Sequence, residues 1–545
     1  MNSPSGTRSR RLGGWGFEGE SVPASAQLRQ WLEREIGSAL HPTLGLAAPP
    51  GVAPRPLPDL PGVISTDPRD RLFHSRGQAL PDVIRLRAGC GITLPDAVCR
   101  PASPANVEQL LALCTAAGVR VIPWGGGTSV TGGVNVLPSD TPTLSLDLAA
   151  LSGLRQLDAE SGLATFGAGT TGPAVEAALA AHGFTLGHFP QSWELSTVGG
   201  WVATRSSGQE SLGYGRIEGM VAGLEVAAPA GRLRLPVLPA SAAGPDLRQL
   251  VMGSEGRLGV ITEATLRVRP RPQTTAVEAA LFPGLEQGAA AARELLTRGL
   301  PLTMLRLSDA PETEVAMAVG MASASAPRLV RIYLKARGIG RTACLMLYAA
   351  AGDPETVDDI LRCARGALRR HRGVSLGRGP GRHWQRDRFR LPYLRESLLD
   401  LGYATDTLET AVPWSAVLAT HARLGQVIAG ALTADNERVA VLCHLSHPYR
   451  DGASLYFTFF FRCAAEAEAS IARWATVKRA ATTALVARGA TLSHHHGVGQ
   501  WHAPWYEAEA GRHGKALVEA AARHMDPTRI LNPHVLLDAE DRLEA

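Results

Sequence analysis

An α+β protein of at least two lobes is what the sequence predicts, on three observations. At 545 residues the chain exceeds what one hydrophobic core organises. Between Pro95 and about Pro270, short elements alternate with many glycines. From about residue 275 to 490, strand-like runs alternate with alanine-rich helical stretches. The 45% hydrophobic and 19% charged composition is that of a soluble globular chain, so both stretches have the material for a core.

Residues 1–94 read as an accessory N-terminal segment. Its apolar patch Arg11-Leu12-Gly13-Gly14-Trp15-Gly16-Phe17 suits packing on the body, and Pro49 to Pro61 is a proline-rich connector. Residues 95–272 form the first lobe. Val107 to Cys114 has helical spacing, and Val119 to Pro123 then reads as a strand feeding a turn. Further strands are expected at 143–148, 163–168, 223–228 and 259–268, with a helix over 173–181. The second lobe, 273–488, carries expected helices at 287–296 and 355–368. Its expected strands are 329–335, 342–348, 439–445 and 454–461. Residues 489–545 close the chain, with a helix near 515–524.

The net charge of +5 comes from basic residues scattered among acidic and apolar ones. No basic reading motif accompanies it, so nucleic acid is not an expected partner. Seven cysteines form no CxxC pair and read as small buried hydrophobes of a reducing compartment. The first eleven residues lack the apolar core of a signal peptide, and no run has the length of a membrane span. A cytoplasmic location is the expectation.

Three glycine-bearing loops of the first lobe point to chemistry. Pro123-Trp124-Gly125-Gly126-Gly127-Thr128-Ser129 directly follows a predicted strand. Residues without Cβ let the backbone turn sharply, so that N–H groups converge on an anion, with Thr128 and Ser129 adding hydroxyls. It is neither a Walker A loop nor a GxGxxG turn. Gln191-Ser192-Trp193-Glu194-Leu195-Ser196-Thr197 leads into Gly199-Gly200. Glu255-Gly256-Arg257-Leu258-Gly259-Val260-Ile261 precedes another strand. Three such loops in one lobe predict an extended cofactor rather than a lone phosphate.

The stretches PWGGGTSVTGG at 123–133, ELSTVGGWVATRSSG at 194–208, GSEGRLGVITEATLRVRP at 253–270 and GATLSHHHGVG at 489–499 resemble the flavoproteins of the vanillyl-alcohol oxidase type. Together with GGWGF at 13–17 and RLF at 71–73, they resemble the alkyldihydroxyacetonephosphate synthase branch of that family, from about residue 11 to the end. The resemblance implies a two-lobed FAD-binding domain and an α+β cap that presents substrate. It assigns residues 123–129, 191–197, Thr204-Arg205-Ser206-Ser207 and 255–261 to FAD. The first glycine loop has no histidine for flavin attachment, so non-covalent FAD is expected.

The cap carries the substrate candidates. Arg306 in Met304-Leu305-Arg306-Leu307-Ser308-Asp309 and Arg395 in Pro392-Tyr393-Leu394-Arg395-Glu396 could clamp a phosphate or carboxylate, or pair with Asp309 and Glu396. Tyr456 sits in the apolar run Ser454 to Phe460, where a packed phenol needs a partner and can transfer a proton if oriented. An extended backbone would put His494 and His496 on one side and His495 on the other, and a helix would spread all three. Adjacency alone therefore builds no metal cage, and no metal is expected, although His444 and His447 are a possible pair. The resemblance implies substrate binding by Arg306 and by Arg395, the latter at phosphate. It implies acid/base work by Tyr456 and proton transfer by His495, with His494 and His496 positioning flavin or substrate.

The implied reaction exchanges the acyl chain of an acyl-dihydroxyacetone phosphate for a fatty alcohol, through an adduct at flavin N5. The expected partners are a phosphorylated lipid precursor and a fatty alcohol, with peripheral membrane contact and a homodimer as further expectations. The alternative is an FAD-dependent dehydrogenase or oxidase of a 2-hydroxy acid or related small alcohol. Those relatives carry EHGxG and HxGDGNxH, where this chain has HHHGVG and His444-Leu445-Ser446-His447-Pro448-Tyr449-Arg450-Asp451-Gly452-Ala453-Ser454-Leu455-Tyr456. After HHHGVG the chain reads Gln500-Trp501-His502-Ala503-Pro504-Trp505-Tyr506, departing from the basic run of eukaryotic synthases.

Overall fold

Ser103 begins the segment that builds the first glycine loop. Its Oγ accepts from Asn106 N at 3.2 Å, Pro104 opens the helix Pro104–Ala117, and Gly118 closes it at φ +65°. The chain then enters the strand Arg120–Trp124, which lies parallel to Thr143–Asp147. The glycines thus leave the carboxyl end of a parallel strand, where backbone N–H groups are free to face a ligand. The computed structural model describes residues 8–42, 45–48, 50–320 and 328–537.

The fold has two lobes built on mixed α+β sheets, as the sequence predicts. Four strands form the first sheet, in the order Val63–Ser65, Ala97–Arg100, Thr143–Asp147, Arg120–Trp124. A second, antiparallel sheet has the order Leu154–Asp158, Leu163–Gly167, Val260–Arg267, Val221–Ala228, Gly231–Leu235. The two share one core that includes Leu110, Val121, Leu146, Phe166, Trp201 and Val226.

The cap is a seven-stranded antiparallel sheet. Its order is Val374–Gly377, Thr274–Phe282, Cys344–Gly352, Met304–Ser308, Ala440–Pro448, Gly452–Arg462, Tyr403–Pro413. The helices Leu285–Thr297, Pro354–Arg370, Trp414–Gly430 and Ala467–Val486 contribute to its core. The two-residue period of the strand Gly452–Arg462 decides what reaches each face. Leu455, Phe457, Phe459 and Phe461 are fully buried in the cap core, so Ser454, Tyr456 and Thr458 take the opposite face.

Two sequence expectations fail here. Residues 329–335 lie in a helix, Arg328–Ala336, rather than a strand. Leu329, Ile332, Tyr333 and Ala336 fall at i, i+3, i+4 and i+7, so helical periodicity outweighs the β-propensity of the run. Cys363 is exposed and Cys90 half-buried, unlike the buried cysteines at 99, 114, 344, 443 and 463. The N-terminal patch docks through Trp15, which is buried against Leu195 and Tyr393. No helix among the described residues is long and apolar enough to cross a membrane.

Candidate active site

The cap register assembles the site. Glu409 pairs with Tyr456, Tyr456 with His444, and His444 with Ser308. These four residues therefore form one row on one face of four adjacent strands. Arg306, two residues before Ser308, shares that face. Its Nη2 donates to Glu312 Oε1 at 2.8 Å and lies 3.2 Å from His444 Nδ1. His444 stacks on Tyr456 with centroids 5.0 Å apart, and Tyr456 stacks on His495 at 5.9 Å and meets His496 edge-on at 5.6 Å. Arg306, Tyr456 and the three histidines are thereby brought together.

Sequence reading missed the group that shapes the histidine turn. The buried Glu409 carboxylate accepts from the backbone N–H groups of His494 at 2.8 Å, His495 at 2.9 Å and His496 at 2.9 Å, and from Ser493 Oγ at 2.8 Å. Consecutive N–H groups converging on one carboxylate make a tight turn that gathers the imidazoles instead of alternating them. Burial opposes ionisation of Glu409, but the adjoining His495, with the N–H groups that donate to the carboxylate, outweighs it and holds its carboxyl well below the ordinary range. The available signal was an acid within the strand Tyr403–Pro413, whose other face buries Ala404, Leu408 and Val412.

Electrostatics sets the charge of the neighbours. Burial holds the His494 and His447 imidazoles well below their usual pKa, and burial lowers His496 to about 3. These rings are neutral at physiological pH. Burial also pushes the Tyr456 phenol above its ordinary value, so Tyr456 is protonated at physiological pH. Ring nitrogens of His447, His494 and His495 lie within 4.8 Å of one another. The Arg216 guanidinium, paired with Glu218 at 2.7 Å, lies 2.8 Å from His494 Nε2 and occupies that nitrogen's lone pair, which a cation would need.

Arg395 stands apart from this group. Its Nη2 donates to Gln78 Oε1 at 2.8 Å and to Glu396 Oε1 at 2.9 Å, and the backbone N–H of Gln78 donates to Ser129 O at 2.6 Å. It is therefore joined to the first glycine loop rather than to Tyr456. Glu396 also receives Arg87 at 2.8 Å, and Arg87 reaches the half-exposed Asp400 at 2.7 Å, so two guanidiniums face two carboxylates here.

The glycine loops meet face to face. A Cβ on Gly125 would lie 2.4 Å from Thr197 Oγ1, and one on Gly126 would lie 2.0 Å from the backbone oxygen of Leu195. Pro123 and Trp124 end the strand, and Gly127 turns at φ +65°. Ser129 Oγ accepts from Gly133 N at 2.9 Å, with Thr128 beside it. Gln191 receives Gln209 Nε2 on its Oε1 at 2.8 Å, and Ser192 O accepts from Leu195 N and Ser196 N. Glu194 accepts from Tyr393 Oη at 3.1 Å, and Ser196 Oγ from Trp201 Nε1 at 2.7 Å.

Most of the remaining predicted cofactor residues have partners within the protein. Thr204 Oγ1 donates to Gly200 O, Arg205 turns at φ +52°, Ser206 Oγ meets His188 Nε2 at 2.7 Å, and Ser207 Oγ donates to Ser211 Oγ. Glu255 accepts from Val498 N at 2.7 Å and Gly499 N at 2.8 Å, so it anchors the end of the histidine turn, and burial raises its pKa to about 7. Arg257 donates to Leu531 O, Leu258 packs in the cluster of Ala522 and Val535, Gly259 turns at φ +139°, and Val260 and Ile261 enter a core strand.

Buried polar atoms test the fit of a cofactor. Trp193 Nε1, Thr197 Oγ1 and Gln209 Oε1 have no hydrogen-bond partner among the described residues. All three lie in or against the loop after Gln191. Such groups are costly unless a polar ligand satisfies them, so the donors and acceptors suit an extended dinucleotide. Gly126→Ala is expected to weaken FAD roughly 10- to 100-fold, because its Cβ meets rigid backbone. Bound flavin per chain, titrated by absorbance, checks this, and unchanged affinity would free the loop of that constraint.

Two family models match, the FAD binding domain over residues 95–235 and the C-terminal domain of FAD linked oxidases over residues 271–536. FAD is accordingly the cofactor. The chain is 32% identical over 484 residues to an alkyldihydroxyacetonephosphate synthase of Dictyostelium discoideum, covering 88% of this chain and 79% of that one. It is 31% identical over 524 residues to the synthase of Trypanosoma brucei brucei, covering 91% and 84%. A solved alkyldihydroxyacetonephosphate synthase superposes with a TM-score of 0.82 at 26% identity, over 96% of this chain and 98% of that structure. With glycine loops, cap and histidine turn in one continuous match, the chain belongs to the alkyldihydroxyacetonephosphate synthase family of FAD-dependent enzymes.

Proposed function

We propose that this enzyme exchanges the acyl group of an acyl-dihydroxyacetone phosphate for a fatty alcohol, forming an ether-lipid precursor. The observation that carries the reading is the row Arg306–His444–Tyr456–His495, set by cap register and the histidine turn. When bound, FAD supplies the nucleophilic and electron-accepting ring that lets one difficult substitution proceed as easier steps.

The chain's own residues do the rest. Arg395 holds the phosphate, as a guanidinium tied through Gln78 to the first glycine loop and able to donate charge-assisted bonds to a dianion. Arg306, neutralised by Glu312, orients His444 and through it the Tyr456 ring. Tyr456 exchanges the proton of the carbon bearing the ester, with a phenol kept protonated at rest by burial. His495 exchanges protons with the oxygens that leave and enter, while His494 and His496 fix its place.

An isotope-labelled fatty alcohol incubated anaerobically with the FAD-loaded enzyme and the acyl substrate tests the whole reading. Labelled ether with the flavin still oxidised is expected. Flavin bleaching by a 2-hydroxy acid, without ether, would instead make the enzyme a dehydrogenase. Arg395→Ala should raise the Kd of the phosphorylated substrate about 10- to 100-fold, from loss of a charge-assisted pair, and leave FAD content unchanged. Equal weakening of both ligands, read by calorimetry and absorbance, would move Arg395 to the cofactor loop.

A further inference from the structure

We infer that Arg216 and Tyr449 are positioning residues that lock the tautomers of the histidine pair, so that His495 enters the reaction with its ring proton on Nε2, as a donor. This deepens the reading of His495 given above and rests on it for its catalytic meaning. The geometry stands by itself.

A guanidinium can only donate, and Arg216 Nη1 lies 2.8 Å from His494 Nε2, while Arg216 Nη2 donates to the backbone oxygen of the same histidine at 2.8 Å. The Tyr449 hydroxyl contacts the same ring nitrogen, and its oxygen receives Arg216 Nη1 at 3.4 Å. With its oxygen accepting from Arg216, Tyr449 donates its hydrogen to His494 Nε2. Two donors therefore converge on one nitrogen, which has to be the bare, accepting one. A proton there would set N–H against N–H in a buried site, at about 1–3 kcal/mol.

The consequence passes along the turn. With Nε2 bare and the ring neutral, the proton of His494 is on Nδ1, and Nδ1 lies 2.8 Å from Nδ1 of His495. Only one proton fits between these atoms. Supplied by His494, it leaves Nδ1 of His495 as the acceptor and places the proton of His495 on Nε2. Glu409 pulls the other way, since its Oε2 lies 3.0 Å from His495 Nδ1. Its oxygens already accept three N–H groups and one O–H group, whereas Arg216 and Tyr449 have no other way to face His494. His447 stacks on His494 at 5.0 Å with Nδ1 3.2 Å from Ser211 Oγ, and His496 packs at 4.6 Å from His495. Neither ring sets a formal charge against the pair.

A donor at Nε2 of His495 is the form suited to stabilising an oxygen that gains negative charge. The wrong tautomer of a catalytic histidine costs as much as loss of the group itself.

Neutron diffraction from FAD-loaded crystals in D₂O tests the assignment. Deuterons are expected on His494 Nδ1 and His495 Nε2, with His494 Nε2 bare. A deuteron on His494 Nε2, or on His495 Nδ1, overturns it. Turnover plays no part in that measurement, so its failure is separable from failure of the acyl-for-alkoxy reading, which the labelled-alcohol assay decides. In kinetics, Arg216→Met combined with Tyr449→Phe should lower kcat about 10²–10⁴-fold with KM and FAD content held. Arg216→Lys with Tyr449 intact, still donor-only, should stay within about tenfold of the native enzyme. Equal loss in both variants would reduce Arg216 to a packing role.

Discussion

Replacing His495 with alanine is expected to leave FAD bound and to lower kcat by about 10²–10⁴-fold, the usual worth of a positioned acid or base. Retention of FAD follows from the turn's anchoring. Glu409 accepts from the backbone N–H groups of residues 494–496, and Glu255 from those of Val498 and Gly499, so removal of one imidazole leaves the backbone held. Single-turnover ether formation, with flavin content measured on the same sample, separates the two effects. Normal turnover would return His495 to packing. Coincident loss of FAD and activity would make it a cofactor-retaining residue.

Glu409→Ala should cost about 3–5 kcal/mol of stability, in the range seen when one side of a buried charged network is removed. The truncation strips the acceptor from three N–H groups and from Ser493, and the histidine turn opens. The pH dependence carries a sign. The folded pKa of Glu409 lies well below its ordinary value, so its contribution is complete above the unfolded-state value of about 4.3. It is lost as pH falls from there toward the folded-state value. Thermal unfolding of the FAD-loaded protein should therefore show a steep acid limb below about pH 4.3 that is shallower in Glu409→Ala. Parallel acid limbs in the two proteins would assign the acid sensitivity elsewhere.

Much of the fold was legible because local signals agreed with tertiary demand. The Ser103 cap, the helix to Gly118 and the strand into Trp124 follow one another in the order that side-chain propensity dictates. The alternation at 454–461 sends Phe457, Phe459 and Phe461 to one face and Tyr456 to the other. The run at 329–335 misled because its residues serve either period, and β-branched and aromatic side chains carry weight in strands. Arg395 was legible as a buried-type arginine beside a glutamate, but the second guanidinium on Glu396 comes from Arg87, 309 residues away in sequence.

The histidine turn separates most sharply what each level decides. Its composition and the glycine loops, read with the family resemblance, determined an FAD enzyme and named its imidazoles, an arginine and a tyrosine as candidates. The sequence could not place the three rings together, because neither an extended strand nor a helix does so. That arrangement needs one carboxylate to gather three consecutive N–H groups, and Glu409 arrives from a strand 85 residues earlier by cross-strand register. Likewise, tautomers depend on which donors face each nitrogen. Arg216 and Tyr449 come from different lobes, and only the closed tertiary structure brings them to the same ring.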